Sequence, residues 1–245
     1  MNRNLFLVFW ALVGLVACQQ DKRNLRPYFF PIEDLSHVGK VYVWLPVHDT
    51  LQPPFLYYYK AERDSQNNCW FVRAYFDYAF QLFQINKERV VRNGIKLVES
   101  RLFERDSSGC LIEVPVEVLY GNVFPFEVGP QPGVLLTRMS WRLPFDTVST
   151  ITLVRNRQFA GDTTWVFQGK TYDAVRFAVR ELIDNEREGH LEYEYPGEEI
   201  YARHLGMVYF RKEVDESLTI EYRLEDILPE TWLWKQLGRT QILPQ

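Results

Sequence analysis

Metal and redox chemistry has little to build on in this chain: 4 His, 3 Cys and 3 Met among 245 residues. His37, His48, His190 and His204 stand far apart, with no His-x-x-x-His or Cys-x-x-Cys spacing. No local metal site is expected, and the four read as solvated turn histidines. A basic block is also missing. With 28 Lys+Arg against 32 Asp+Glu and a net charge of −4, an extended nucleic-acid footprint is excluded. There is no Gly-x-Ser-x-Gly elbow, and Gly169-Lys170 lacks the upstream glycine of a phosphate-cradling loop. The serines of Asp106-Ser107-Ser108-Gly109 belong to a loop tip. No catalytic residue, metal or cofactor is therefore assigned, and no repeat or low-complexity tract is visible.

What the chain has instead is aromatic mass: 7 Trp, 14 Tyr and 17 Phe. Side chains of this kind suit a pleated, half-buried surface, so the composition points to a core built from sheets. With 47% hydrophobic and 24% charged residues, the chain is a folded one.

The first residues carry an address. Met1-Asn2-Arg3-Asn4 is followed by an apolar run from Leu5 to Val16 and then Ala17-Cys18. A basic start, a short apolar stretch and a small residue before a cleavage point are the parts of a secretion signal. The stretch is too short for a permanent span, which takes roughly 20 apolar residues. Leu15-Val16-Ala17-Cys18 resembles the lipobox of bacterial lipoproteins. That resemblance implies a signal peptide over 1–17, cut before Cys18, and acyl chains on Cys18 that hold the protein to a membrane. At about 0.8 kcal/mol per buried CH₂, two or three chains make such an anchor essentially permanent. Gln19 in place of Asp after the cysteine resembles the outer-membrane sorting rule, with the periplasmic or surface side open. Residues 18–27 are polar and read as a tether.

Two cysteines remain. In an oxidising compartment Cys69 and Cys110 invite a disulfide closing 42 residues, worth on the order of 4 kcal/mol in the chain-entropy model. Both begin apparent strands. In a simple meander with two strands between them, those starts lie at opposite ends of the sheet, which leaves two buried free thiols as the alternative.

Period-two alternation recurs along the chain, as expected for strands with one covered face. Leu218, Ile220, Tyr222 and Leu224 alternate with polar residues, as do Leu191, Tyr193 and Tyr195. The longest apolar stripe runs through Trp70, Val72, Ala74, Phe76, Tyr78, Phe80 and Leu82. Asn93-Gly94 predicts a hairpin joining 84–92 to 95–105. Residues 124–133 read as a loop, 172–185 as a strand, and Glu198–His204 as one helical turn. Pro229 opens a short helix through Leu237. The reading is all-β, a mostly antiparallel curved sheet of half-barrel or sandwich type with one or two short helices, in a single domain over 28–237 followed by a tail over 238–245.

Gly169–Phe177, Ile200–Val208 and Ile220–Leu224 resemble segments of uncharacterised β-rich lipoproteins of the Bacteroidota. The resemblance implies curved antiparallel sheets like the half-barrels of lipoprotein carriers, and no chemistry.

Three functions compete. The first is a non-enzymatic, lipid-anchored envelope module that binds an unknown envelope protein or has a structural role. The second is a carrier of a lipid or other apolar ligand, with Trp70, Val72, Phe76, Tyr78 and Phe80 lining an apolar groove. The third is an envelope hydrolase using Glu192 with Glu194, or Glu198 with Glu199. Alternation with Leu191, Tyr193 and Tyr195 makes the first of these pairs a wet strand face. The aromatics on both sides of Val41–Leu45 and Tyr57–Tyr59 suit either a groove or a closed two-layer structure.

Overall fold

The computed structural model describes residues 22–48, 52–106 and 108–242. The proposed signal peptide and Cys18 lie outside the described residues. Strands dominate in chain order. They are β1 (Arg23–Asn24), β2 (Lys40–Pro46), β3 (Phe55–Arg63), β4 (Cys69–Asp77), β5 (Leu82–Val91), β6 (Gly94–Arg105), β7 (Leu111–Pro125) and β8 (Glu127–Val128). Then follow β9 (Val134–Leu143), β10 (Asp146–Phe167), β11 (Lys170–Glu186), β12 (His190–Ala202), β13 (Gly206–Glu213) and β14 (Thr219–Pro229). A 3₁₀ turn covers Arg26–Tyr28, and the helices are α1 (Ile32–His37) and α2 (Glu230–Leu237).

The all-β, antiparallel expectation holds, and the sheet closes fully. Twelve strands form one barrel in the order β10-β11-β12-β13-β14-β2-β3-β4-β5-β6-β7-β9, and β9 pairs back to β10 through Ile151 opposite Trp141. Bulges bend strands into the closure, among them one between Phe159 and Gly161, where Gly161 adopts φ +116°. The predicted hairpin forms, although Gly94 lies in β6 opposite Val91. Glycine is needed there for close approach, because a Cβ would stand 2.4 Å from the Phe124 carbonyl oxygen. Residues 172–185 are strand, as read. Glu198–Ala202 extend β12 instead of turning, and β7 and β8 take up much of 124–133.

Strand faces assign the barrel's two layers. Tyr42, Tyr57, Tyr59, Phe71 and Tyr75 belong to the interior cluster, while Val41, Leu56, Tyr58, Ala74 and Phe76 belong to an outer one. The two-sided aromatic strands therefore serve a closed structure with both faces covered. α2 supplies the outer cover: Leu233 is fully buried over these strands, and Tyr58 Oη donates to Glu230 Oε2 at 2.7 Å. The chain continues past Leu237 onto the same patch, where Ile242 packs. Elsewhere the outer face carries ion pairs, Arg180 with Glu194 at 2.8 Å and Arg223 with Glu225 at 3.4 Å, all four well exposed, among scattered exposed apolar side chains such as Val166 and Leu119. A lipid-facing barrel needs the opposite pattern, apolar outside and polar within.

Eight strands leave an interior that side chains just fill, and twelve leave more. The expected tether over 18–27 closes part of that space from Lys22 onward. Arg23 and Asn24 pair with β8, Leu25 N donates to Phe126 O at 2.8 Å, and Leu25 is fully buried. One leucine among polar neighbours gave the sequence no periodicity to show this. Phe29 and Phe30 follow it into the lumen, their rings 5.1 Å from Phe71 and 4.2 Å from Tyr59 respectively. Across the plug, Gly206 (φ +86°) lies so close that a Cβ would sit 2.4 Å from the Phe30 ring. That end of the barrel is shut.

Candidate ligand site in the barrel lumen

Beyond the plug the lumen holds a cavity of about 310 Å³, at the lower end of small-molecule sites. Its lining is layered along the strands. Counting from the plug, β10 presents Phe159, then Arg157 and Arg155, then Leu153, and β11 presents Phe177, Val179, Glu181 and Ile183 at matching levels. An aromatic floor therefore gives way to a charged band, with Ile220 opposite Lys212, and then to an apolar rim, where Leu102 and Trp141 join Leu153.

Charge in the band alternates. Arg73 Nη2 stands 3.2 Å from Glu88 Oε1, and Arg157 acts on both Glu88 and Glu199. Arg157 Nε donates to Glu199 Oε2 at 2.8 Å, and Tyr201 Oη donates to the same oxygen at 2.9 Å. Arg155 grips Glu181 Oε2 through two nitrogens, with Nε at 2.7 Å, and Lys212 Nζ donates to Glu181 Oε1 at 3.1 Å. Four cations thus enclose three carboxylates. Solvent reaches the band from the rim: the Arg155 and Lys212 side chains are 33% and 29% exposed, whereas Glu181 is 4% exposed.

The carboxylates respond unequally. Burial pushes Glu181 upward, but Arg155 and Lys212 outweigh it and hold the carboxyl down at about 2. Glu199 is likewise buried, and Arg157 draws it below the usual range. At Glu88 burial wins over Arg73 and Arg157, so its pKa is raised. The Glu88–Arg73 contact lacks hydrogen-bond geometry, and Glu88 Oε1 has no hydrogen-bond partner, consistent with the weaker hold.

The five residues expected to line an apolar groove lie on the other layer. Phe76 is buried and Val72 half-buried in the outer cluster under α2. The Trp70 indole donates to Asp64 at 3.0 Å, and Tyr78 is 62% exposed. Phe80, in a turn at φ +61°, packs against Trp232. None lines the cavity, because β4 turns its more polar face inward through Arg73, while its apolar stripe meets the C-terminal helix.

The cysteines are free thiols, Cys69 half-buried and Cys110 exposed. β5 and β6 lie between the strands they precede, so the two fall at opposite barrel ends and no disulfide links them. Among the described residues no His/Cys/Asp/Glu cluster suits a metal. His190 accompanies Asp184 at 2.9 Å on the exposed outside, and His204 N donates to Pro27 O in the plug. Of the paired carboxylates, Glu192 and Glu194 are exposed, Glu198 borders the cavity and faces Arg211 at 3.8 Å, and Glu199 is buried in the charged band.

The luminal charges escaped notice in the sequence because charge on a strand reads as a wet face. Their signal is position: Arg155 and Arg157 occupy the same strand parity as Leu153 and Phe159, and Glu181 that of Val179 and Ile183.

No family model matches the chain, and no curated protein matches it. Among solved structures it is similar to a candidate lipoprotein from Parabacteroides distasonis ATCC 8503, at 12% identity over 83% of this chain and 96% of that one, with a TM-score of 0.44. It is also similar to a candidate exported protein with a YmcC-like fold from Bacteroides fragilis NCTC 9343, at 13% identity over 81% and 98% with a TM-score of 0.49. Neither bears on what the lumen binds.

Proposed function

We propose that this chain is a non-enzymatic cell-envelope protein, anchored to the outer membrane through acyl chains on Cys18, that binds a small apolar-tailed ligand inside its barrel. The observation that carries the binding role is the 310 Å³ luminal cavity, closed at one end by Phe29 and Phe30 and rimmed with apolar side chains at the other. The charged outer wall supports a barrel that works beside the membrane. The lipobox Leu15-Val16-Ala17-Cys18 supports the anchor. Binding is favoured over hydrolysis because Arg157 acts on both Glu88 and Glu199, filling the gap that a scissile bond between two carboxylates requires.

Two measurements test this reading. Metabolic labelling with palmitate marks the parent and not Cys18→Ser; equal labelling ends the anchor. Thermal unfolding of the full chain is then followed with octanol or octanoate added, since a ligand of the folded state raises the midpoint in proportion to its occupancy. At least one raises it for the parent, and neither does for Leu153→Trp or Ile220→Trp, which fill the cavity from its wall. No shift for either ligand in the parent ends the binding role.

A further inference from the structure

We infer that the luminal ligand carries a single negative charge on its head, a medium-chain carboxylate or its like, seated head-down on the charged band with its apolar tail toward the rim. This rests on the luminal binding role proposed above and specifies its ligand. The chain of luminal charges runs Arg73, Glu88, Arg157, Glu199, Arg155, Glu181, Lys212, with contacts at 3.2 Å for the first pair, 2.8 Å for Arg157 with Glu199 and 3.1 Å for the last pair. It begins and ends on a cation, so the band holds one positive charge more than its carboxylates neutralise.

Donors are in surplus too. The Arg73 guanidinium makes no hydrogen bond to another described residue; its contacts are the Glu88 ion pair and the Tyr57 ring at 5.6 Å. Arg157 uses Nε on Glu199, while its two Nη groups have no acceptor among the described residues. Buried guanidinium groups favour acceptors arranged for their fork, and a carboxylate satisfies two N–H groups at once. Asn86 and Ser100 are both buried in the same wall, and Gln84 donates to each of them at 3.1 Å, which keeps that side polar without adding charge. The order of layers sets the pose: apolar surface lies rimward of the band at Leu102, Trp141 and Leu153, and the aromatic plug closes the other side.

The test uses full-chain unfolding midpoints across a concentration series of octanoate, octanol and octylamine, from which apparent affinities are read. Octanoate binds the parent on the order of tenfold more tightly than octanol, as hydrogen bonds to a charged group imply, and octylamine binds less than either. Arg73→Gln brings octanoate and octanol to within about twofold, Arg73→Lys keeps part of the preference, and Glu88→Gln, which adds one unit to the surplus, widens it. Equal affinities for octanoate and octanol in the parent overturn the charged head while leaving the luminal role standing, as does a preference unchanged in both Arg73→Gln and Glu88→Gln. Absence of any shift overturns both.

Discussion

Arg157 and Glu199 face each other at 2.8 Å inside the barrel, from β10 and β12, with both side chains under a tenth exposed. A buried pair of this kind is costly to desolvate and costlier to break. Replacing Arg157 by Met leaves the Glu199 carboxylate with the Tyr201 hydroxyl and the more distant Arg155 but without its paired guanidinium, and is expected to lower unfolding stability by about 3 kcal/mol. The double replacement Arg157→Met, Glu199→Met recovers most of that loss. Denaturant unfolding of the two singles and the double gives the coupling directly.

Acid stability follows from the same band. Glu181 and Glu199 have folded pKa values below their unfolded ones, so their contribution is complete above about pH 4.5 and is lost as pH falls below it, for Glu181 toward about 2. Glu88 has the opposite sign, because its raised pKa makes the folded state take up a proton more readily above pH 4.5. The melting temperature is therefore expected to rise slightly on mild acidification, as Glu88 takes up its proton, and to fall below pH 4.5. Glu181→Gln flattens the falling part.

The plug can be loosened from either side. Phe30 packs 4.2 Å from Tyr59 and beneath Gly206, and Phe30→Ala is expected to cost about 3–5 kcal/mol. Gly206→Ala adds a Cβ at φ +86° against the Phe30 ring, a cost of about 1–3 kcal/mol from backbone strain alone. The double variant loses less than the sum, because removing the ring relieves the clash. Calorimetric melting of the three variants checks the non-additivity.

On the outside, Leu233 is the fully buried contact of α2. Leu233→Ala is expected to destabilise the chain by about 2–5 kcal/mol and to uncover the apolar layer around Phe76 and Leu56. Hydrogen exchange sees the change as faster exchange in α2, with β10–β12 unaffected.

Oxidation leaves Cys69 and Cys110 unbonded to one another, since they sit at opposite ends of the barrel. Intact mass under non-reducing conditions retains both thiols, and maleimide labels exposed Cys110 faster than half-buried Cys69.

The sheet was legible in the sequence because alternation is a local signal: the strands around Tyr222 and Phe177 and the helix after Pro229 fall where their patterns place them. Closure was not, since it depends on twelve strands adding their bends through bulges that no short window reveals. The stripe through Trp70 and Phe76 reads in the sequence as the lining of an apolar groove, but a strand in a closed, helix-covered barrel has two covered faces, and the apolar one belongs to α2. The luminal cavity lies on the face with Arg73, whose charge reads in the sequence as solvent exposure. Leu25 was hidden for the reverse reason, a single apolar residue among polar neighbours whose burial is decided by the barrel end it enters.

The luminal cavity is expected to be accessible and occupied in the cell. Native mass spectrometry of the full-length protein taken from its own membrane tests this most directly. The predicted result is a non-covalent added mass, released as an organic anion with an apolar tail and absent from Leu153→Trp. Protein whose mass is fully explained by its chain and covalent acyl groups, in the parent as in Leu153→Trp, contradicts it.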